Sequence, residues 1–288
     1  MRPVQVRGEV LSRQRAGEYH VMTVVAPGVA EAARPGQFVA VAVGGASTGM
    51  LLRRAFAIYS ATPAGAYGGT VQFVVAVHGP GTAWLSGLRQ GDPIDVVGPL
   101  GTPFPLPARP VPAVLVGGGY GSAPLFPLAD ALRVRECRVD MVIGAGTATR
   151  LFGELQAKRS STSLTVTTED GSAGQTGRVS DVLPHVIERA NAGVVYACGP
   201  MPMLRACGEI AESYGIPCQV AVEESMACGI GVCMTCVLPV VGNDQVTRMV
   251  RSCVEGPVFP ADRVRWADVG TVPSDALGAG ELPMGSPR

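Results

Sequence analysis

Glu223-Glu224-Ser225-Met226-Ala227-Cys228-Gly229-Ile230-Gly231-Val232-Cys233-Met234-Thr235-Cys236, followed after sixteen intervening residues by Cys253, decides how the rest of the chain is read. The spacing is C-x4-C-x2-C with a fourth cysteine on a returning segment, the arrangement in which four thiolates enclose a [2Fe–2S] cluster. A loop wrapped around inorganic sulfide brings backbone N–H groups close and needs positive φ, which Gly229 and Gly231 can supply. No charged residue lies between Cys228 and Cys236, so the loop has an apolar outer shell that limits water. A structural zinc ribbon is the first alternative, although it usually repeats C-x2-C and fits the first gap of four poorly. Disulfides and buried free thiols are the others.

At 288 residues the chain has material for two domains or more. Lys plus Arg and Asp plus Glu are equal at 23 each, so no basic surplus points to nucleic acid. Gly (38) and Pro (24) are plentiful, which implies many turns and close backbone approaches to ligands. Two uncharged runs, 35–52 and 110–129, are long enough to span a bilayer. Gly and Pro break both, so they read as strand, turn and helix, and no membrane partner is expected. The N-terminus lacks the apolar stretch of a signal peptide, and a cytoplasmic location is expected. In that reducing compartment eight cysteines argue for a metal centre over a disulfide framework. Cys137, Cys198, Cys207 and Cys218 read as small buried residues, and His20, His78 and His185 form no ligand spacing.

Upstream, residues 1–103 alternate or run in β-branched residues between Gly and Pro punctuation, the pattern of an antiparallel β-barrel. Three features stand out within it. Arg53 and Arg54 meet the apolar strand Ala55-Phe56-Ala57-Ile58, where an arginine fork can clamp a pyrophosphate. His78-Gly79-Pro80-Gly81-Thr82 opens a short helix with Thr82 expected at the N-cap, a place where free N–H groups can hold a phosphate. Asp92 and Asp95 read as turn residues on the segment that closes the barrel. Residues 110–217 then alternate strand and helix, an open α/β parallel sheet. Its first strand, Ala113-Val114-Leu115-Val116, runs into Gly117-Gly118-Gly119-Tyr120-Gly121 and a helix, the phosphate-binding geometry of nucleotide folds. Cys198-Gly199-Pro200 ends a later strand of that sheet. Residues 218–265 make a small C-terminal iron–sulfur domain, and the Gly- and Pro-rich 266–288 read as a loose tail.

Over residues 5–265 these motifs, in this order, resemble the electron-transfer subunits of two-subunit, NAD-dependent dihydroorotate dehydrogenases, a branch of the ferredoxin reductase superfamily. The resemblance rests on the Arg54-Ala55-Phe56-Ala57 segment, Gly79-Pro80-Gly81-Thr82, Gly98-Pro99-Leu100-Gly101, the glycine turn through Ala123-Pro124-Leu125, Tyr196-Ala197-Cys198-Gly199-Pro200, the cysteine loop, and Gly256-Pro257-Val258-Phe259. It implies FAD held at Arg54, Ala55, Phe56 and Ala57, at Val74, Val75 and Ala76, and at Gly81 and Thr82. It implies NAD over Gly117, Gly118, Gly119 and Gly121 and near Cys198, Gly199 and Pro200, and a [2Fe–2S] cluster on Cys228, Cys233, Cys236 and Cys253. The family carries Ser where this chain has Ala57, which leaves Ser60 or backbone N–H groups as substitutes for the missing hydroxyl.

The resemblance also implies a partner, an FMN-binding catalytic subunit in a heterotetramer, from which electrons pass through the cluster and FAD to NAD. Flavin handles both hydride pairs and single electrons, so it stands between nicotinamide and cluster, and no catalytic acid, base or nucleophile is expected in this chain. Met226, Ile230, Val232 and Met234 would either face that partner or pack beneath the loop. Two further readings stand beside this one: a self-sufficient NAD(P)H reductase serving an oxygenase, a hydrogenase or a carrier protein, and a zinc-stapled nucleotide-binding module. The strand ending at Gly146 lacks the acid that favours NAD, and Arg150 nearby could meet the phosphate of NADP.

Overall fold

Alternation of apolar residues closes the N-terminal strands into a barrel. The strands are β1 (Val4–Ala16), β2 (Tyr19–Val25), β3 (Phe38–Val41), β4 (Arg54–Thr62), β5 (Thr70–Val75) and β6 (Pro93–Leu100), in the closed order β1-β2-β5-β4-β3-β6. Met22 and Val24 of β2 meet Val71, Phe73 and Val75 of β5 inside it, and α1 (Val29–Ala32) and α2 (Pro80–Gly87) pack at its ends. The computed structural model describes residues 2–45 and 48–279.

The second unit is a seven-stranded sheet of β7 (Ala113–Gly118), β8 (Val139–Ala145), β9 (Ser163–Thr168), β10 (Gln175–Thr176), β11 (Val194–Cys198), β12 (Cys218–Ala221) and, after a long excursion, a returning edge strand. Ala113 and Leu115 of β7 face one apolar core and Val114 and Val116 the other, as a strand covered on both sides must. The first face is covered by α3 (Leu125–Val134) and α4 (Glu154–Ser160), the second by α5 (Val179–Ala190) and α6 (Met201–Ser213). In α5, Val179, Leu183, Val186, Ile187 and Ala190 recur at helical spacing and form its buried stripe. The sheet order is β10-β9-β8-β7-β11-β12, so the chain builds outward from β7 on one side and then on the other. The crevice between the C-terminal ends of β7 and β11 is the switch point where such sheets hold ligands.

The two units share one core. Tyr19 and Val74 of the barrel are buried with Leu115, Phe126 and Phe152, and Tyr59 packs edge-on against Phe152 with ring centroids 5.4 Å apart.

The excursion carries the cysteines and the hairpin of β13 (Val237–Val241) and β14 (Thr247–Arg251), and then returns as β15 (Val258–Pro260), antiparallel to β12. The expected boundary at 218 therefore cuts through the sheet: β12 and β15 are its strands, and the cysteine segment is an insertion between them. The tail expectation also fails as far as residue 279. Arg265 pairs with Asp275 at 2.6 Å, Leu277 N–H donates to Thr247 O, and Ala276 is buried. Residues 280–288 lie outside the described residues. Among the described residues no helix is long and apolar enough to cross a membrane.

Candidate functional site

The end of β7 and the end of β11 lie side by side, Gly117 opposite Cys198. The turn after β7 is drawn in tightly because it has no side chains to keep it away. A Cβ on Gly121 would stand 2.7 Å from Cys198 O, one on Gly118 2.7 Å from Met203 Sδ, and one on Gly117 2.6 Å from Ser122 Cβ. Gly119 has φ +55°, which favours glycine. Gly118, Gly119 and Gly121 thus present backbone to a cavity that Cys198, Gly199 and Pro200 also line, while Gly117 lies beneath the turn.

That cavity, about 1220 Å³, is larger than the roughly 300–1,000 Å³ of a typical single-ligand pocket. Its barrel wall is Arg54, Ala55, Phe56 and Ala57 of β4, with Val74 and Ala76 beside them. Val75 is not on that wall: it alternates into the barrel interior and is fully buried there. The arginine fork also divides. Both arginines line the cavity, but the Arg53 guanidinium is tied to the barrel, 2.8 Å from Asp95 and donating to the Asp95 and Ala40 carbonyls, whereas that of Arg54 lies beside Gly81. A Cβ on Gly81 would come within 3.0 Å of Arg54 Nε, so the glycine permits that approach. Thr82 lines the cavity, but the N-cap of α2 is Gly79. Thr82 sits three residues on, and its hydroxyl accepts from the N–H groups of His78 (2.9 Å) and Gly79 (3.1 Å). Ser60 is not among the residues that line the cavity.

The third wall is the cysteine loop, through Met226, Ala227 and Thr235. Cys236 and Cys253 are buried against Phe38, Ala40 and Leu100, which seats the loop on β3 and β6 next to the cavity. The four thiols stand as two pairs, Cys228 with Cys233 and Cys236 with Cys253. Among the described residues no three Cys, His, Asp or Glu side chains converge to hold one ion. Two pairs suit a binuclear centre with two thiolates per iron; a single tetrahedral zinc wants four donors around one point. Gly229 and Gly231 have φ +71° and +83°, as the loop geometry demands. Burial disfavours the Cys228 thiolate, but the N–H groups of Ile230, Cys233 and Val232 outweigh it together and bring its pKa down to about 6. The donor set and its backbone cradle therefore fit an iron–sulfur cluster.

Residues 223–265 match the family described as the iron-sulfur cluster binding domain of dihydroorotate dehydrogenase B, and residues 115–209 match the oxidoreductase NAD-binding domain. The dihydroorotate dehydrogenase B (NAD(+)) electron transfer subunit of Geobacillus thermodenitrificans is 38% identical over 88% of this chain and 96% of its own length. The chain belongs to the family of dihydroorotate dehydrogenase B electron transfer subunits. A probable member of that family from Methanopyrus kandleri is 39% identical over 73% of this chain and 76% of its own. Among solved structures, a chain of an NADH-dependent reduced ferredoxin-NADP oxidoreductase is 31% identical with a TM-score of 0.79, covering 92% of this chain and 91% of that one. The ferredoxin reductase of carbazole 1,9a-dioxygenase, 19% identical with a TM-score of 0.63 over 75% of this chain and 68% of its own, shares the fold.

In this family member the structure brings to the cavity several residues that spacing did not single out. Tyr120, from the glycine turn, donates to Glu223 Oε1 at 2.5 Å, bridging the sheet to the segment that leads into the cysteine loop. Burial and that carboxylate raise the Tyr120 hydroxyl well above its ordinary range. Burial, with the Glu223 charge behind it, pushes the Cys198 thiol up to about 12, so it stays neutral at ordinary pH. Thr167, Glu169 and Arg178 line the far end. Partners 103 residues apart, such as Tyr120 and Glu223, leave no trace in local sequence.

Proposed function

We propose that this chain is the electron-transfer subunit of an NAD-dependent dihydroorotate dehydrogenase, relaying electrons from an FMN-bearing catalytic subunit to NAD⁺ in pyrimidine biosynthesis. The observation that carries the reading is the single cavity walled by barrel strand β4, the glycine turn and the cysteine loop. A flavin bound there would exchange hydride pairs with nicotinamide and single electrons with a [2Fe–2S] cluster.

The chain's own residues supply positions. Arg54, with Gly81 and Thr82, offers a charged and hydrogen-bonding end for the FAD pyrophosphate. Ala55 and Ala57 leave a flat wall for a ring, with Phe56, Val74 and Ala76 completing it. Gly118, Gly119 and Gly121 bring backbone N–H groups to the NAD pyrophosphate, with Gly117 letting the turn close and Cys198, Gly199 and Pro200 bordering the nicotinamide. Cys228, Cys233, Cys236 and Cys253 hold the cluster, and Phe38, Ala40 and Leu100 keep water from its inner side.

Of the four apolar loop residues, Met226 turns to the cavity, whereas Ile230, Val232 and Met234 are 54, 75 and 51% exposed. Those three are the proposed face toward the catalytic subunit in a heterotetramer. A cytoplasmic location suits the free thiols. None of the curated relatives named above is a stand-alone reductase. Reconstitution tests the proposal: dihydroorotate-dependent NAD⁺ reduction must require both chains. NAD⁺ reduction by the catalytic subunit alone, at the rate of the pair, would refute it.

A further inference from the structure

Next to the fourth cysteine stands a polar group that the electron-transfer reading does not use. Ser252 is 0% exposed, and its hydroxyl has no hydrogen-bond partner among the protein's groups. A buried hydroxyl left alone is costly, and native proteins complete nearly all of them. Ser252 is not among the residues that line the cavity, so neither the nicotinamide nucleotide nor the flavin can supply its acceptor. Full burial keeps bulk water from it as well.

The backbone ties Ser252 to the two inner cysteines. Cys253 follows it in the chain, and its own N–H donates to Cys236 O at 2.9 Å. Arg251, just before it, donates to Gly231 O at 3.0 Å, so Arg251 and Ser252 both pin the returning segment to the cysteine loop. Cys236 and Cys253 are themselves buried against Phe38, Ala40 and Leu100, in a setting poor in other donors. The outer pair is supplied differently. Ile230 and Val232 N–H groups donate to Cys228 Sγ at 3.5 and 3.4 Å, and the Thr235 hydroxyl donates to Cys233 Sγ at 3.1 Å. A cluster brings negatively charged sulfurs to this loop, and hydrogen bonds to them help set its potential.

We propose that the Ser252 hydroxyl donates a hydrogen bond to a sulfur of the [2Fe–2S] cluster on its Cys236–Cys253 side and raises the potential at which the cluster accepts an electron. Reduction makes the sulfurs more negative and the bond stronger, so the bond favours the reduced state. The inference rests on the reading that the four cysteines hold such a cluster. Ser252→Ala and Ser252→Gly both remove the hydroxyl without adding bulk. In the purified, flavin- and cluster-loaded subunit, a redox titration followed by electron paramagnetic resonance should find reduction of the cluster disfavoured about tenfold in each, a fall of about 59 mV for one electron. Resonance Raman spectra give a second readout: the iron–sulfur stretching bands of wild type shift on exchange into D2O, and part of that shift is lost in both variants. An unchanged potential, or an isotope shift that the variants keep, in protein with its full iron and sulfide content overturns the inference and leaves the iron–sulfur reading standing. Wild-type protein that holds no iron and sulfide overturns both.

Discussion

Gly121→Ala tests whether the switch-point crevice is as tight as its backbone contacts make it. The added methyl would stand 2.7 Å from Cys198 O, 2.8 Å from Gly199 Cα and 2.9 Å from Gly199 N, against ordinary contacts that begin at 3.4 Å. All three atoms are backbone, so no side chain can swing away. The turn and the end of β11 must part by about 0.7 Å. Overpacking of this kind costs about 1–3 kcal/mol, a fall in melting temperature of roughly 2–10 °C in a chain of this size. The functional loss should be larger than the loss of stability, because misplacing a bound reactant by about 1 Å can lower a rate roughly 10²-fold. NADH-dependent flavin reduction by stopped flow and thermal melting read the two effects separately. Flavin content and the visible absorption of the cluster should be retained, since β4 and the cysteine loop lie on other walls. Gly146→Ala is the control: its methyl meets nothing within 4 Å, and stability should move by less than about 0.5 kcal/mol. A Gly121→Ala protein that melts and reduces like wild type would refute the reasoning.

Arg53→Ala and Arg54→Ala should separate cleanly. The first removes the guanidinium from Asp95, leaving its carboxylate only Gln5 at 2.7 Å and Arg7 at 3.9 Å, and costs about 1–3 kcal/mol of stability, whereas the second purifies with less flavin at near-normal stability; equal flavin loss in both would contradict the assignment. Thr235 donates to Cys233 Sγ at 3.1 Å, a bond that favours the more negative, reduced cluster, so Thr235→Val should lower the midpoint potential in a titration followed by electron paramagnetic resonance. A tenfold change in that equilibrium is about 59 mV for one electron, and an unchanged or higher potential would count against the bond. With its pKa raised from 9.0 to about 12, Cys198 carries little thiolate at neutral pH. Its alkylation, followed by mass spectrometry, should be slow at pH 7 and climb roughly tenfold per pH unit, and rapid labelling at pH 7 would rule out the buried neutral thiol.

The cysteine quartet and the glycine turn were readable in the sequence because each is a local device: the residues that act together are neighbours, and their spacing encodes the geometry. The barrel and the parallel sheet were readable for a related reason, since strand periodicity is local too. What sequence left out depends on which face of a strand looks where. Arg53 and Arg54 are adjacent and chemically identical, and only the position of Asp95, 42 residues away, ties the guanidinium of one to the barrel and leaves the other beside Gly81. Val75 falls between two cavity-facing residues, and β alternation sends it inward. Glu169 reaches the cavity because β9 lies next but one to β7, which is a fact of sheet order. Residues 266–279 have the composition of a tail and are nonetheless held by Arg265, whose partner Asp275 lies ten residues on.

The central claim is that one cavity couples a nicotinamide nucleotide to the four cysteines through a flavin. Anaerobic titration of the purified chain with NADH, followed by visible absorption and electron paramagnetic resonance, tests it most directly. Flavin bleaching accompanied by the signal of a reduced [2Fe–2S] cluster is the predicted result. A colourless protein, zinc in place of iron, or a flavin that bleaches while the cluster stays oxidised would contradict it.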